Sequence, residues 1–423
     1  MNLNRILNKQ YKLIGEYKKF ESCRFCNSKI QPVISLGTMP LAGGFLEKKN
    51  LGKNELFYPL SLGFCKKCFM LQTIEVINAS TLFEKYYYSS SKIKTLSNHF
   101  KLLATEISNL KPKFVVEIGS NDGVLIQALV KSKVNALGVD PARNIVEPKI
   151  KKGVPLLCDY FNLNVSKKIV RRYGKADVIA SSNTMAHIEN ISDVYKGIKM
   201  LLSQKGICII EVHSLAKIIN EFQYDMIYHE HLYYYSARSM IEILKLYGLE
   251  LFDVKEIPMH AGSYRFYIQH KNGPRKKTRN ISEILEKEKK LGLSKIETYI
   301  SYNLQMKKQR QSLIKLLEKL KSNNKRIVGY GASGRGNTVM GYSKIDNKLL
   351  DAVIDDSPLK QGRYTPGNRL QIVKSGTLLT KKRADYVLLF AWSFADEIIK
   401  KNSTYIKNGG KFIIPLPKVT TLP

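Results

Sequence analysis

The chain has 423 residues, of which 44% are hydrophobic, and a formal net charge of +34 at pH 7. This length accommodates two or three globular domains. No apolar run is long enough to cross a bilayer and the N-terminus lacks the apolar core of a signal peptide, so we expect a cytoplasmic protein without a membrane partner. The lysines are spread along the chain, which favours solvated surfaces and some steering of an anionic substrate over nucleic-acid binding.

Four cysteines in the first segment form two C-x-x-C pairs. Two such pairs close together are typical of a zinc site, because each pair can place two thiolates on one ion. With no histidine nearby, the pattern predicts a closed structural site, with free buried thiols as the alternative. The expected ligands are Cys23, Cys26, Cys65 and Cys68. Cys158 and Cys208 fall on predicted strands, and we interpret them as core residues.

Three consecutive tyrosines, Tyr86 to Tyr88, follow this segment. Such a run packs in a core or an interface, or supplies phenolic donors to a substrate oxygen. The pattern alone does not decide between these roles.

The next region alternates apolar strands with helical stretches, which predicts an α/β domain with a parallel sheet. The predicted strands are Phe114–Ile118, Ala136–Val139, Pro155–Leu157, Val178–Ala180 and Ile207–Val212. Two further extended stretches, Glu250–Ile257 and Ser263–Gln269, predict an antiparallel hairpin at the sheet edge.

The first of these strands leads into an E-x-G-x-x-x-G turn, Glu117 to Gly123, and the second ends at Asp140. This is the arrangement of nucleotide recognition at the carboxyl edge of a parallel sheet, where Gly119 lets the backbone approach a ligand and Asp140 accepts from ribose hydroxyls. An acid in place of a G-x-G-x-x-G cradle argues against a phosphate and for S-adenosylmethionine. The alternative is an ordinary βαβ unit with a chance glycine turn.

Later strand ends are expected to complete this cofactor site. An acid after the third strand can bind the adenine amino group, an aromatic there can stack on the ring, and polar residues after the fourth strand face the methyl donor. The residues assigned to the cofactor are Glu117, Gly119, Asn121, Asp140, Asp159, Tyr160, Phe161 and Asn183.

The segment Tyr228-His229-Glu230-His231 is the densest cluster of titratable groups in the chain. It does not match H-E-x-x-H, and adjacent residues cannot share one helical face, so the pattern argues against a helical zinc-protease site. The cluster can supply a general base with a carboxylate neighbour, or it is a polar loop with surface histidines. His187, which follows the fourth strand, is a second candidate for chemistry.

After a lysine-rich loop, Lys271 to Arg279, and a helical stretch, Ser282 to Lys321, a third segment again begins with a strand and a glycine turn. Gly329 to Gly334 matches G-x-G-x-x-G, Asp355 follows at the distance of a ribose contact, and Arg335 suits an anion. The pattern predicts a second nucleotide-binding domain and leaves NAD and a nucleotide sugar equally open. Its predicted strands are Lys325–Tyr330, Leu350–Ile354, Tyr386–Phe390 and Lys411–Pro415.

From about Ser22 onward the chain resembles the sugar C-methyltransferases, three-domain enzymes that act on nucleotide-linked 4-keto-6-deoxy sugars. The resemblance rests on the four cysteines, the E-x-G-S-N-D-G loop, the Y-H-E-H segment, His260-Ala261-Gly262-Ser263 and the stretch Gly329 to Thr338. It implies a class I S-adenosylmethionine-methyltransferase Rossmann-like sheet between a zinc-binding domain and a C-terminal Rossmann-like domain. The expected boundaries are 1–94 for the zinc domain, 95–270 for the methyltransferase domain, 271–323 for a linker and helical bridge, and 324–423 for the C-terminal domain.

The resemblance also implies roles for individual residues. His231 would remove the proton from C3 beside the C4 ketone, with Glu230 and Tyr228 in the same site. His187 and one tyrosine, Tyr88 or Tyr86, would hydrogen-bond the sugar or the enolate. The nucleotide sugar would lie between the last two domains of a monomer, which makes the C-terminal glycine turn a nucleotide-sugar site. Its implied contacts are His260, Ser263, Gly331, Ser333, Gly334, Arg335, Asn337, Asp355 and Trp392.

One position departs from the family pattern, which reads H-G-G-S where this chain has Ala261. Three other functions remain open beside the resemblance. They are a methyltransferase acting on RNA, DNA or another small molecule, a non-catalytic nucleotide-sugar-binding protein, and a dehydrogenase built on the C-terminal glycine turn.

Overall fold

The structure, a computed structural model, describes residues 12–83, 90–92, 94–376 and 383–422. Within these residues, three larger sheets define an N-terminal, a central and a C-terminal domain, and a two-stranded sheet lies in the N-terminal part. The candidate tyrosines Tyr86 and Tyr88 lie outside the described residues. Within the described ranges, no helix combines the length and hydrophobicity that a membrane span requires.

The N-terminal domain is built on two ten-residue antiparallel strands that carry the cysteine turns at one end. Its elements are β1 (Lys12–Ile14), β2 (Lys18–Lys19), β3 (Gln31–Pro40), β4 (Glu55–Phe64), β5 (Leu71–Thr73), β6 (Glu75–Val76) and α1 (Ala79–Phe83). β3 contains both buried and exposed residues but without strict alternation, because its pairing with β4 shifts register between Pro32 and Ile34 and between Ser35 and Gly37.

The central domain has a seven-stranded sheet in the order β13-β14-β11-β10-β7-β8-β9, parallel except for β13 and β14. The elements are α2 (Lys94–Asn109), β7 (Val115–Ile118), α3 (Val124–Lys131), β8 (Ala136–Val139), α4 (Arg143–Ile150), β9 (Leu156–Leu157), α5 (Leu163–Tyr173), β10 (Ala176–Ser182), α6 (Ile191–Leu201), β11 (Leu202–His213), α7 (Leu215–Asn220), β12 (Tyr233–Tyr234), α8 (Ala237–Leu246), β13 (Leu249–Ile257) and β14 (Ser263–His270).

The predicted central strands and the antiparallel hairpin are all present. The β7 and β8 strands are buried at every position because helices cover both faces of the sheet, which explains their continuous apolar runs. Cys208 is a buried strand residue, as expected. Cys158 lies one residue beyond β9 and is half-buried, so its predicted place on a strand is wrong; β9 is only two residues long.

The predicted helical bridge consists of two helices, α9 (Arg279–Lys290) and α10 (Ile296–Ser322). The break coincides with Gly292, whose φ of 69° lies in the left-handed region that glycine adopts without strain. The longer helix packs against β3 of the N-terminal domain and against the first helix of the C-terminal domain, so it connects the outer domains.

The C-terminal domain has a six-stranded sheet in the order β17-β16-β15-β18-β19-β20, parallel except for β20. The elements are β15 (Ile327–Tyr330), α11 (Gly334–Ser343), β16 (Val353–Ile354), β17 (Ile372–Val373), β18 (Tyr386–Leu389), α12 (Ala395–Lys401), α13 (Ser403–Lys407), β19 (Lys411–Ile414) and β20 (Thr420–Leu422). Each of the four predicted strands is present, although β16 covers only Val353–Ile354 of the predicted Leu350–Ile354, and β17 and β20 are additional.

One central strand joins another domain's sheet. β12 pairs with β5, and Thr73 in β5 donates a backbone hydrogen bond of 3.0 Å to the Leu232 carbonyl. Because β12 directly follows the Y-H-E-H segment, this pairing ties the segment to the N-terminal domain.

Candidate active site and zinc site

The two cysteine turns bring four thiols together. All four Sγ atoms lie within 4.8 Å of one another, with Cys23 to Cys68 and Cys26 to Cys65 each at 3.4 Å. A tetrahedral zinc ion with bonds of about 2.3 Å places its sulfur ligands roughly 3.8 Å apart, so these residues fit that ion. The Gln72 amide nitrogen lies 3.2 Å from Cys23 Sγ and can donate to it.

The first cysteine turn also reaches the candidate active site. Arg24, between two of the thiols, donates from Nη2 to the Leu232 carbonyl at 3.0 Å. Leu232 directly follows His231 in the chain. The metal-site fold therefore supports the backbone beside the candidate base.

The glycine turn after β7 is shaped by a close approach. Gly119 has a φ of 75°, and a Cβ there would lie 1.9 Å from Thr184 Oγ1. Asp140, at the end of β8, accepts backbone hydrogen bonds of 2.9 Å from Asn121 and Ala142, one on each carboxylate oxygen. These bonds fix the carboxylate at the carboxyl edge of the sheet.

Several buried polar atoms near this edge have no hydrogen-bond partner in the described structure. They cluster at β7 and β10, where the strand order reverses and ligands of open α/β sheets bind. The atoms are Glu117 Oε2, Ser120 Oγ, Ser182 Oγ and Asn183 Oδ1. Unpaired buried polar groups cost free energy, so a ligand with hydroxyl and ammonium donors fits this crevice, as S-adenosylmethionine does.

The surroundings of the Glu117 carboxyl group disfavour its negative charge. Burial raises its pKa well above the ordinary value, and the charges of Asp140, Asp122 and Glu211 raise it further. A cationic ligand beside this group would favour its ionised form. A cofactor bearing a sulfonium and an ammonium meets that requirement, whereas a phosphate does not.

The other predicted cofactor residues occupy different environments. The Asn121 side-chain oxygen accepts from the backbone of Ser90 at 3.0 Å and thereby holds the turn that precedes α2. Asp159 accepts from the backbone of Tyr160, whose side chain is 54% exposed, whereas Phe161 is buried in the core. Tyr160 is thus the more accessible of the two aromatic side chains, and the roles of these residues stay predictions.

His231 is held in one tautomer. Its Nδ1 lies 2.8 Å from the Met226 carbonyl, which can only accept, so Nδ1 carries the hydrogen. Nε2 therefore has the lone pair and lies 2.8 Å from the Tyr228 hydroxyl. Burial, with the neighbouring charge of His187, holds the pKa of His231 well below its usual range, which keeps the ring neutral.

Four imidazoles meet at this edge of the central sheet. The ring centroids are 5.0 Å apart for His187 and His231, 4.9 Å for His231 and His213, and 5.4 Å for His213 and His260. Sequence reasoning missed His213. It ends β11 at the same carboxyl edge as the other candidates, and that position was the available signal.

The other two members of the Y-H-E-H segment face different surroundings. The His229 Nε2 atom lies 3.2 Å from the Tyr58 carbonyl of β4, so this ring faces the N-terminal domain. Burial raises the pKa of Glu230 to about 7. A Cβ added at Gly43 would lie 3.5 Å from the Glu230 carboxylate, which places the Leu41–Phe45 loop beside that side chain.

A second crevice opens at the carboxyl ends of β15 and β18. Gly331 has a φ of 99° and packs against Ala391, and the Ser333 side chain caps α11 by accepting from Gly336 at 3.1 Å. Arg335 lies beside this turn and stacks over Trp392, with its Cζ 5.1 Å from the ring centroid. The predicted glycine turn is thus placed at a topological switch point.

Arg335 and Trp392 converge on an acid that sequence reasoning missed. Asp225, which is fully buried in the central domain, accepts from Arg335 Nε at 2.8 Å and from Trp392 Nε1 at 2.8 Å. This contact joins the two crevices. Nothing local in the sequence marks Asp225, because its partners are more than a hundred positions away.

The remaining predicted substrate residues are distributed around the same junction. The Asn337 amide donates to the Ala42 carbonyl at 2.6 Å, and its buried Oδ1 has no partner in the described structure. Gly334 faces Ala42, with an added Cβ 3.7 Å from the Ala42 Cβ. Ser263 donates to the Met259 carbonyl, and Asp355 binds the Lys360 ammonium at 3.3 Å.

Three protein-family models match successive parts of the chain. A zinc binding domain matches residues 23–83, a methyltransferase domain matches 92–254, and a C-methyltransferase C-terminal domain matches 258–417. C-methyltransferase NovU from Streptomyces niveus is 29% identical over 95% of this chain and 96% of its own length. The chain belongs to the S-adenosylmethionine-dependent C-methyltransferases.

This C-methyltransferase therefore uses S-adenosylmethionine as its cofactor and has a zinc-binding N-terminal domain, as the sequence predicts. Its fold is a class I methyltransferase sheet flanked by that domain and by a C-terminal Rossmann-like domain. The Leu416–Pro417 peptide bond, near the end of the C-terminal match, is cis.

Solved methyltransferase structures resemble part of the enzyme. One from Clostridium acetobutylicum aligns with 45% of this chain and 97% of its own, with 16% identity and a TM-score of 0.32. An O-methyltransferase family protein from Burkholderia thailandensis aligns with 41% of this chain, with 10% identity and a TM-score of 0.31. The chain spans between 53% and 58% of the length of the first solved structures that it matches. Family membership therefore rests on the family models and on NovU.

Proposed function

We propose that the enzyme transfers a methyl group to C3 of a nucleotide-linked 4-keto-6-deoxy sugar, with His231 as the base. The observation that carries the proposal is the fixed tautomer of His231. Its basic Nε2 atom belongs to a buried histidine cluster that has the Arg335 guanidinium as an electrostatic neighbour. We also propose that the enzyme is a cytoplasmic monomer that does not bind nucleic acid.

Proton removal and enolate stabilisation can be assigned to different residues of this chain. A proton next to a ketone is acidic enough for a neutral imidazole if the enolate is stabilised, and the Met226 carbonyl keeps His231 oriented for that step. The Tyr228 hydroxyl, 2.8 Å from His231 Nε2, and the His187 ring, 5.0 Å from the His231 ring, would donate to a substrate oxygen beside the base. Each well-placed donor would contribute on the order of 3–4 kcal/mol to the transition state. S-adenosylmethionine, when bound, supplies the methyl group from its sulfonium.

The second crevice supports the nucleotide half of the substrate. The Arg335 guanidinium lies over the Trp392 indole, and the same helix carries Asn337, whose buried amide oxygen has no partner in the described structure. An aromatic face stacks on a base, and a guanidinium favours a diphosphate. This combination fits a nucleoside diphosphate whose sugar extends toward His231.

The chain contains a single tryptophan, Trp392, so its fluorescence reports directly on this crevice. We expect nucleoside diphosphates to change that fluorescence saturably, and inorganic phosphate to have no effect. A failure of every nucleoside diphosphate to change the signal or the thermal stability would contradict the nucleotide assignment.

The reaction itself is tested with a panel of nucleotide-linked 4-keto-6-deoxy sugars. In heavy water with S-adenosylhomocysteine, we expect deuterium to enter at C3, and with S-adenosylmethionine we expect a C3-methylated product by NMR. Deuterium at another carbon would correct the position, and no exchange or methyl transfer with any substrate of the panel would overturn the substrate class.

A further inference from the structure

The four imidazoles form a path that leads away from the candidate base. Successive ring centroids lie 5.0, 4.9 and 5.4 Å apart in the order His187, His231, His213 and His260. His231 is 3% exposed, whereas His213 and His260 are half-buried. The rings of His213 and His260 are therefore both more exposed than the ring of the candidate base.

The sheet itself holds the outer part of this path. His213 ends β11 and lies in register with Ser263 of β14. The next backbone nitrogen, that of Ser214, donates to the Gly262 carbonyl at 3.2 Å. These contacts place the turn that carries His260 over His213. Backbone pairing within the sheet therefore holds the two rings next to each other.

The other neighbours of the base do not lead outward. The Nδ1 hydrogen of His231 is bound to the Met226 carbonyl, and the His187 ring interacts with backbone groups of Glu230 and Asn183. A carbonyl oxygen accepts a hydrogen bond but does not take up a proton at neutral pH. His213 instead faces ionisable groups, namely His231, His260, His187 and Arg335.

We propose that His213 receives the proton that His231 removes from the substrate and passes it to His260 and then to water. This inference rests on the proposed function. The C3–H bond breaks, its proton bonds to His231 Nε2, and the enolate carbon gains the methyl group. The Nε2–H bond then breaks as a ring nitrogen of His213 takes the proton, and His213 and His260 return to their neutral forms in turn.

Electrostatics makes this release necessary for turnover. An imidazolium on His231 would be buried and would be repelled by the charge of Arg335. Burial and neighbouring cations all disfavour that charge, as they do for His213. A base that kept its proton would not be ready for a second substrate.

The test compares the first turnover with later ones in His213→Asn, which keeps a polar side chain of limited size but cannot titrate. We expect the first methyl transfer to occur at a rate close to that of the wild type. Steady-state turnover and the exchange of a C3 deuteron into water should both fall roughly tenfold or more. In His213→Ala, added imidazole should restore both rates.

Three controls keep the outcomes distinct. His260→Asn should lower steady-state exchange less than His213→Asn does, and His270→Asn, which removes a buried imidazole that contacts the Leu202 carbonyl, should leave exchange unchanged. Exchange in the wild type, lost in His231→Ala, confirms the proposed function independently. If the wild type exchanges and His213→Asn exchanges equally fast, the relay is overturned. A first turnover that falls as much as the steady state, without rescue by imidazole, also overturns it.

Discussion

The Asp225 carboxylate binds the Arg335 guanidinium through two hydrogen bonds, of 2.8 and 3.2 Å, across the boundary between the central and C-terminal domains. The Asp225 side chain is fully buried, and that of Arg335 is 20% exposed. The indole of Trp392 donates to the same carboxylate. One acid thus fixes the two side chains that we propose for nucleotide binding.

Replacing this acid should loosen the C-terminal domain. In Asp225→Asn the neutral amide no longer balances the Arg335 charge, and breaking a buried pair costs about 3 kcal/mol. Chemical unfolding followed by Trp392 fluorescence measures the change. Asp351→Asn is the matched control, because Asp351 pairs with Lys321 and Arg326 while 31% exposed, and such pairs contribute less than about 1 kcal/mol. Equal losses in the two variants would contradict the role of Asp225.

The turn that carries His260 has a backbone that does not suit its sequence. Ala261 has a φ of 66°, in the left-handed region, where a residue with a Cβ costs about 1–2 kcal/mol. We expect Ala261→Gly to raise the free energy of unfolding by up to about 1 kcal/mol, since glycine loses part of that gain through its more flexible unfolded state. Ala128→Gly, within α3, should instead lower it by about 1 kcal/mol. A destabilising Ala261→Gly would show that the turn carries no such strain.

Zinc should support catalysis as well as folding. Arg24 in the first cysteine turn and Thr73 in β5 both hydrogen-bond the Leu232 carbonyl, one residue after the base. We expect about one zinc per chain by metal analysis, and chelation should reduce methyl transfer and unfold the N-terminal domain. Cys26→Ser should lose the metal, whereas Cys158→Ser, outside the site, should retain it. Full activity and full stability of the metal-free protein would contradict this coupling.

Glu230 should make stability depend on pH in a defined direction. Its pKa is about 7 in the folded protein and about 4.3 in an unfolded chain, so the folded state binds the extra proton between these values. Its contribution to stability is therefore fully present below about pH 4.3 and is lost as the pH rises through 7. Relative to Glu230→Gln, the wild type should lose roughly 2 kcal/mol between pH 5 and pH 8.

Comparison of the two proteins removes the contributions of the buried histidines, whose pKa values are shifted in both. Burial lowers the pKa of His187 and of His260 to about 4, so their contribution makes stability rise with pH between about 4 and the unfolded pKa of about 6.5. A difference between wild type and Glu230→Gln that is constant from pH 5 to pH 8 would mean that the carboxyl is not desolvated.

Local patterns predicted much of the fold. Ala136–Val139 is a strand at the predicted residues because its apolar run is bounded by polar residues and buried on both faces. The four cysteines converge as their spacing indicates. What the pattern could not give were contacts between distant segments, such as β12 in the N-terminal sheet and the Asp225–Arg335 pair. Their partners are set by tertiary packing, which leaves no periodic signal in the chain.

The two histidines of the Y-H-E-H segment, His229 and His231, provide the sharpest test of the base. Their types and spacing are equivalent in the sequence, but the structure turns His231 toward Tyr228 and His229 toward the Tyr58 carbonyl. We expect His231→Asn to lower kcat by roughly 100-fold or more, with little change in S-adenosylmethionine affinity by calorimetry. His229→Asn should retain chemistry and affect mainly stability, because its ring faces the N-terminal domain. If His229→Asn lost methyl transfer while folded and binding cofactor, and His231→Asn did not, the assignment of the base would be reversed.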